Sequence, residues 1–576
     1  MKITIAKTAG FCMGVRRAVE MVLDTPSKYN SPIYTFGPLI HNPQVLDLLS
    51  EKGITTLTKV PDHGEGTILI RAHGVPPETK DQLSRAGFTV LDATCPRVIR
   101  VQVIIRKHTR KGYTTIIVGN RNHPEVVGLL GYAGQNGYVI AGTEELKALP
   151  VFDQAIIVAQ TTQNQQLYEQ ITRWTGKHRA HYKIFNTICN STSRRQIEVK
   201  ELAHRSDAIV VVGGRESGNT RRLAEIVRET GKPAFQVESE TDLNLADFGS
   251  LNRVGITAGA STPNWVLRRV FRTLDKESIT KGRALHRAFF TLRRALLLTN
   301  IYVALGAGSL CFACAELQGF YDHFSTVLVT MLYVFSMHIM NNLIGAKADR
   351  FNDPGRAHFY QKYKLPLVLL AIMAGGYGLI IAATMGVLPF TVLLLMSLLG
   401  LSYNLPLLPD IFTKGRYRSI RDIPGSKTVL IAIAWGVATA VFPALVHING
   451  ISPATVVVFF WSTALVFART AFFDILDMQG DRIVGRETIP LLFGEQATTR
   501  FLKLILTISP LVLIFSAAIS LVTSLAVGLT VSPVFLYLVI AFHEKGHMLP
   551  GIRLEFLVES GFILAGLITL TWMVFN

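Results

Sequence analysis

The sequence predicts an α/β domain of three similar lobes followed by an all-α bundle of nine membrane-spanning helices. Three observations carry this expectation. A pattern of apolar run, cysteine and helix occurs three times; short Val/Ile runs give way to long apolar stretches near residue 296; and basic residues in the second half fall in alternate loops. With 576 residues and a mean hydropathy of +0.34, the chain is long enough for several domains and apolar enough for membrane spans.

The first copy of the pattern is Thr8-Ala-Gly-Phe-Cys12-Met-Gly-Val-Arg-Arg-Ala-Val19. It follows a β-type run, Met1 to Ala6, and opens an apolar-periodic helix, Val15 to Leu23. Backbone N–H groups and the helix dipole stabilise a thiolate at such a junction, as a metal ligand requires. A lone cysteine there reads first as a buried packing residue. Cys95, in the run Val90 to Val98, and Cys189, in Tyr182 to Gln196, repeat the setting. The spacings are 95 − 12 = 83 and 189 − 95 = 94. A period near ninety implies three α/β lobes, each presenting one cysteine from an equivalent place. Around a pseudo-threefold axis the three thiolates would meet, and a cubic iron–sulfur cluster held by three thiolates keeps one iron open to substrate.

Histidines extend the pattern. His41 lies in Gly37-Pro-Leu-Ile-His41-Asn-Pro, His73 ends the run Thr67 to Ala72, and His123 precedes Pro124-Glu125 after the run Tyr113 to Val118. All three sit at or near strand C-terminal ends, where open α/β sheets place ligands. Singly each reads as a loop histidine; beside three matching cysteines they read as a site. Gln160-Thr161-Thr162 ends another apolar run. Ser217-Gly218-Asn219-Thr220 precedes the helix Arg221 to Thr230, and Ser261 lies in the loop after Val254 to Ala258. Glycines, hydroxyls and an amide before a helix N-terminus make a phosphate cradle. The expectation is a small phosphorylated substrate beside an iron–sulfur cluster.

Residues 1–275 resemble the LytB/IspH family of hydroxymethylbutenyl diphosphate reductases of the methylerythritol phosphate pathway. The resemblance rests on AGFCMGV, GPLIHNP, RAHGV, DATCP, HPEV, QTT, SGNT and AGAST, in that order. It implies a trefoil with a [4Fe–4S] cluster ligated by Cys12, Cys95 and Cys189. It also implies that His41, His73, His123, Ser217, Asn219 and Ser261 bind the substrate diphosphate, that Glu125 supplies protons, and that Thr161 helps hold the substrate hydroxyl. His123 would also take part in catalysis. Reductive loss of that hydroxyl would yield isopentenyl and dimethylallyl diphosphates, with electrons from a ferredoxin or flavodoxin. Gly218 stands where many relatives have serine. The rival reading is a three-cysteine zinc or redox-sensing domain.

Five cysteines without an even framework point to a reducing cytoplasm rather than a disulfide scaffold. Met1 to Ala6 is too short for a cleavable signal and leads straight into Cys12. Of the net charge of +18, residues 1–300 hold 41 basic and 26 acidic side chains, or +15. Residues 268–294 alone hold nine basic residues against Asp275 and Glu277, which suits anionic lipid headgroups. Nucleic acid is excluded as a partner, because no recognition motif accompanies the charge.

Val266 to Leu296 is expected as a helix along the bilayer surface, with 276–295 as a basic juxtamembrane linker to the membrane domain 296–576. The nine expected spans are 296–318, 325–345, 365–386, 388–404, 428–447, 453–474, 501–517, 519–541 and 556–575. No Lys or Arg occurs in 301–346, 365–413, 428–468, 504–544 or 554–576. By the positive-inside rule the alternate loops and the N-terminal domain are cytoplasmic, and the C-terminus lies outside the cell inner membrane.

Asp474, Asp477 and Asp481 share one helical face, where carboxylates at a span end suggest Mg²⁺ and a diphosphate. Asp474 to Gly494 resembles the second aspartate-rich motif of the UbiA superfamily of intramembrane prenyltransferases, a similarity extending over 285–576. Lys414 to Lys427, after Ser402-Tyr403, sits where that family has a basic loop. Its first motif aligns with Asn341 to Asp349, so Asn342 and Gly345 replace two of its three acids, Asn341 and Asp349 remain, and Asp353 lies one turn on. The resemblance implies Mg²⁺-dependent prenyl transfer; a non-catalytic membrane anchor is the alternative. Cys311 and Cys314, without a partner histidine, read as helix-packing residues.

Overall fold

The computed structural model describes all residues except 30, 281–283, 404–419, 421–422, 485, 546–550 and 576, and omits the side chains of 27, 276–280, 284–287, 345–348 and 350. The chain forms two units, Met1–Lys281 and Gly282–Asn576.

The first unit opens with β1 (Lys2–Ile5). Then follow β2 (Ile33–Phe36), β3 (Thr55–Leu57), β4 (Thr67–Ile70) and β5 (Thr89–Asp92). The next four are β6 (Thr114–Val118), β7 (Gly137–Ile140), β8 (Ala155–Ala159) and β9 (Lys183–Phe185). The last three are β10 (Ala208–Val212), β11 (Ala234–Val237) and β12 (Arg253–Ala258). They build three four-stranded sheets in the orders β3-β2-β4-β5, β7-β6-β8-β9 and β11-β10-β12-β1. Every pairing is parallel.

The three orders are one topology used three times, with the chain starting on the last strand of the third sheet. β4, β8 and β10 are buried at every position, which explains their unbroken apolar runs. Each cysteine follows the fourth strand of its sheet and caps the next helix: Cys12 before Met13–Asp24, Cys95 before Pro96–Thr109 and Cys189 before Asn190–His204. The ninety-residue sequence period is therefore a period of sheets.

The second unit holds seven described helices long and apolar enough to cross a membrane: Phe324–Ile344, Lys364–Met385, Ser426–His447, Pro453–Val484, Glu495–Ala518, Leu525–Glu544 and Ile552–Phe575. This makes the chain a multi-pass membrane protein. The expected span 296–318 is a pair of helices, Ala288–Leu298 and Ile301–Leu317, bent by 72°. The bend falls at Asn300, which is left-handed (φ 59°) and buried, its amide donating to the Tyr360 hydroxyl at 2.6 Å. The expected span 388–404 is the shorter helix Val387–Ser402. The expected span 519–541 starts later, at Leu525, because left-handed Ser520 lies just past the end of the preceding helix. Of the expected surface segment 266–296, two helices are described, Asn264–Thr280 and Ala284–Leu298. The basic loop Lys414 to Lys427 lies largely outside the described residues.

Cys311 and Cys314 are buried free thiols, and Cys311 Sγ accepts from the Thr330 hydroxyl at 3.4 Å. The helices Pro453–Val484 and Ile552–Phe575 are joined by a buried ion pair, Arg469 with Glu559, whose Nε–Oε1 distance is 2.9 Å. The Arg469 guanidinium also lies 5.5 Å from the Trp435 ring centre. Glu559→Gln leaves a buried cation without its counter-ion and should cost about 3–5 kcal/mol. Thermal unfolding in detergent, followed by tryptophan fluorescence, should show a lower midpoint; an unchanged midpoint would show that the pair does not hold these helices together.

Candidate active site

The three cysteine junctions share one hydrogen bond. Cys95 N–H donates to the Ala72 carbonyl at 2.9 Å, Cys189 N–H to Thr161 at 2.8 Å and Cys12 N–H to Ala260 at 3.1 Å. Each acceptor lies two residues beyond the third strand of its sheet, since β4, β8 and β12 end at 70, 159 and 258. The thiols converge. A Cβ at Gly14 would stand 2.3 Å from Cys95 Sγ, so only glycine admits that sulfur beside the Cys12 helix. Burial pushes the Cys95 thiol up, and Cys12 and Cys189 push it further, against the N–H groups of Arg97 and Val98. Arg17, five residues after Cys12, donates to the Thr94 carbonyl at 3.0 Å and ties the Cys12 helix to the Cys95 junction.

A second set comes from the loops after the first strands. β2, β6 and β10 end at 36, 118 and 212, and His41, His123 and Ser217 each follow by five residues. Three residues beyond the third strands stand His73, Thr162 and Ser261. One ring nitrogen from each of His41, His73 and His123 lies within 4.8 Å of the others. Ser261 Oγ donates to the His41 carbonyl at 3.1 Å, and Ser217 Oγ caps its helix by accepting from Thr220 N–H at 3.4 Å.

Three imidazoles this close suit either a metal ion or an anion, and the hydrogen bonds favour the anion. His123 Nδ1 accepts from Glu125 N–H at 3.1 Å, so the neutral ring carries its proton on Nε2 and offers a donor rather than a lone pair. Burial keeps all three rings neutral: it takes His123 down to about 4, holds His73 well below the usual value and lowers His41. The Arg71 guanidinium lowers all three further and adds positive potential. Among the described residues, His73 Nδ1 and both ends of the buried Asn219 amide have no hydrogen-bond partner. Buried polar atoms left in this way fit a polar ligand.

Glu125 joins the two sets. It is 2% exposed; Oε1 accepts from Thr161 N–H at 2.6 Å and Oε2 from the Thr161 hydroxyl at 2.8 Å. Burial raises its carboxyl to about 7, despite both hydrogen bonds. Thr161 in turn accepts the Cys189 N–H, so Glu125, Thr161 and Cys189 form one connected path. Sequence reasoning missed Arg17 and Arg71. Their signal was present, as basic residues near a cysteine and a histidine, but charge alone does not tell an inward arginine from a solvated one.

In the membrane unit, Asp474, Asp477 and Asp481 lie on the helix Pro453–Val484, the first and last 2% exposed. The Thr428 hydroxyl donates to Asp474, and Lys427 Nζ lies 3.7 Å from its other oxygen. Asp481 accepts from the Asn352 amide at 3.4 Å and faces Arg486 at 3.8 Å. Asn352 ends the helix Phe324–Asn352, which carries Asn341 and the half-buried Asp349. Asn341 lines an apolar cavity with His338, Met337, Tyr403, Lys427 and Trp435. Asn342 instead donates to Tyr360 at 3.1 Å and to Asn300 at 3.4 Å, and Arg356 pairs with Glu555 beside Asp353.

Residues 3–275 match the family described as LytB protein, and residues 300–548 the UbiA prenyltransferase family. The 4-hydroxy-3-methylbut-2-enyl diphosphate reductase of Aquifex aeolicus is 40% identical over 276 residues, covering 46% of this chain and 94% of that protein. The solved E-1-hydroxy-2-methyl-but-2-enyl-4-diphosphate reductase from Plasmodium falciparum is 25% identical, with a TM-score of 0.45 over 47% of this chain and 87% of that one. A UbiA homolog from Aeropyrum pernix K1 is 15% identical, with a TM-score of 0.37 over 47% of this chain and 98% of that one. The chain thus belongs through residues 3–275 to the LytB family, that of the 4-hydroxy-3-methylbut-2-enyl diphosphate reductases, and carries a UbiA prenyltransferase family domain at residues 300–548.

Proposed function

We propose that residues 1–275 reduce 4-hydroxy-3-methylbut-2-enyl diphosphate to isopentenyl and dimethylallyl diphosphates. Residues 276–295 would link this domain to a nine-span domain, 296–576, that carries out Mg²⁺-dependent prenyl transfer within the bilayer. The observation that carries the first half is the path Glu125–Thr161–Cys189, which joins an acid that is partly protonated at neutral pH to a convergent thiol set.

The donor set fits an iron–sulfur cluster. Three cysteines cap three helices, their thiols converge, and Gly14 leaves room beside one of them. A pseudo-threefold arrangement of the three lobes supplies that convergence. When bound by Cys12, Cys95 and Cys189, a [4Fe–4S] cluster supplies electrons from a ferredoxin or flavodoxin and one open Lewis-acidic iron. Removing the allylic hydroxyl takes two electrons and two protons, breaks a C–O bond, forms a C–H bond and releases water. The neutral His41, His73 and His123, with Ser217, Asn219 and Ser261, donate hydrogen bonds to the diphosphate, and Arg71 offsets its charge. Thr161 orients Glu125 and contacts the substrate hydroxyl. Glu125 gives up its proton to the departing oxygen.

In the membrane half the carboxylates proposed for a divalent cation are Asp474, Asp477 and Asp481 on one helix, of which Asp474 already faces Lys427 and Asp481 faces Arg486. The chemistry Mg²⁺ supplies in such a site is neutralisation of a leaving diphosphate. At the first motif Asn342, in place of an acid, is engaged by Asn300 and Tyr360, and Arg356 lies beside Asp353 and Glu555. That engagement favours the second reading, a non-catalytic anchor. The alternation of basic loops supports a cytoplasmic reductase on the inner membrane with the C-terminus outside.

The full chain, purified without oxygen, should reduce hydroxymethylbutenyl diphosphate when given a low-potential reductant. Glu125→Gln should lower turnover by about 10²–10⁴-fold. Since the donor form is the protonated acid, activity should fall as pH rises through about 7, and this limb should be absent in the variant. A full-rate Glu125→Gln enzyme would sink the assignment. For the membrane half, Mg²⁺ should promote dimethylallyl diphosphate binding, and Asp477→Asn should abolish that effect together with any prenyl transfer to lipid acceptors. Binding indifferent to both would leave the anchor reading in place.

A further inference from the structure

Arg195 lies on the Cys189 helix, six residues after the cysteine, and is 4% exposed. Its Nη2 donates to the Gly10 carbonyl at 2.6 Å and its Nη1 to the Ala258 carbonyl at 3.0 Å. Gly10 lies two residues before Cys12, with φ +101°, and Ala258 ends β12, two residues before the Ala260 carbonyl that accepts the Cys12 N–H. One turn on, Glu198 accepts from Lys7 N–H at 2.6 Å and from Thr8 N–H at 2.8 Å. A single helix face thus grips the segment leading to Cys12 at both ends.

The charge is as notable as the clamp. The groups that act on the buried guanidinium are the Cys12 and Cys189 thiols and Glu198. Its Nε is buried with no hydrogen-bond partner among the described residues. The three cysteine helices repeat one another, yet the position six residues after Cys95 is Val101 and that after Cys12 is Ala18, both buried. Two lobes fill this place with apolar side chains, so packing alone does not call for an arginine in the third. A buried cation costs desolvation unless negative charge faces it, and Glu198 is spread over two backbone N–H groups and the Thr8 hydroxyl.

We propose that Arg195 is a positioning residue whose buried charge raises the reduction potential of the cluster held by Cys12, Cys95 and Cys189, with Glu198 as its counterweight. The proposal rests on the reductase reading. Adding an electron increases the negative charge at the thiolates, and a fixed cation in a low-dielectric interior favours the more negative state. The same side chain fixes the Cys12 segment through its two carbonyl contacts.

The test is the midpoint potential of the full chain, reconstituted with iron and sulfide and titrated anaerobically with dithionite and mediators. Arg195→Met should shift the potential downward and Glu198→Gln upward, while Arg195→Lys, which keeps the charge, should stay near the wild type. Opposite shifts from neighbouring residues are a signature that general loosening of the fold does not produce. An iron-loaded Arg195→Met protein with an unchanged potential would overturn the proposal, as would shifts of the same sign in Arg195→Met and Glu198→Gln. If Arg195→Met fails to fold, an unshifted Glu198→Gln protein overturns it equally. A wild-type chain that holds no redox-active iron refutes the reductase reading instead, so the two failures are distinguishable.

Discussion

The hydrogen bond from each cysteine N–H to a carbonyl two residues past the neighbouring strand is the constraint from which the reductase half follows. It fixes where the chain leaves the sheet and makes the cysteine the residue that caps the next helix. Made once, it would place one thiol. Made three times at 2.8–3.1 Å on sheets of one strand order, it gives the thiols equivalent starting points from which they converge. The same loops carry His73 and Ser261 one residue further on, so ligand chemistry and cysteine placement share a backbone.

The repetition is not strict, and its departures are where the chemistry is. The fifth position after the first strand is histidine, histidine and serine; the seventh is Pro43, Glu125 and Asn219. A sheet topology repeated three times offers three equivalent places in the chain, and a ligand whose parts differ needs a different group in each. Only one of the three seventh positions carries an acid, the buried Glu125 bound to Thr161. Burial both lowers the histidines and raises that acid, so one property of the site favours the neutral form of both kinds of group.

Much of this was legible in the sequence because the repeat is written in residue types as well as in spacing. Cys12, Cys95 and Cys189 each follow an apolar run, and spacing alone indicated three lobes. What spacing cannot show is that β1 belongs to the last sheet, since the partner of Lys2–Ile5 lies about 250 residues away at Arg253–Ile256. Nor does it show which arginines turn inward. Arg16 is exposed while Arg17 reaches Thr94; Arg194 and Arg195 are likewise adjacent, and only the second is buried. A helical face is readable from periodicity, but two adjacent arginines leave the choice to tertiary packing. In the membrane half, apolar length located the helices, whereas the left-handed residues Asn300 and Ser520 decided where they break or end.

Charge balance bears on what the membrane unit can bind. A site for a diphosphate and a divalent cation must hold more carboxylate than its own side chains neutralise, or the ion has nothing to bind. At the second motif three aspartates meet Lys427 and Arg486, which leaves an excess of negative charge. At the first motif the loss of acid at Asn342 and Gly345 coincides with a guanidinium, Arg356, already paired with Glu555 and near Asp353. An arginine fixed beside a diphosphate supplies charge without exchange and without dependence on metal concentration, but it cannot adjust its coordination as a leaving group departs. The first motif nonetheless keeps an excess of its own, because Asp349, Asp353 and Glu555 meet the single guanidinium of Arg356.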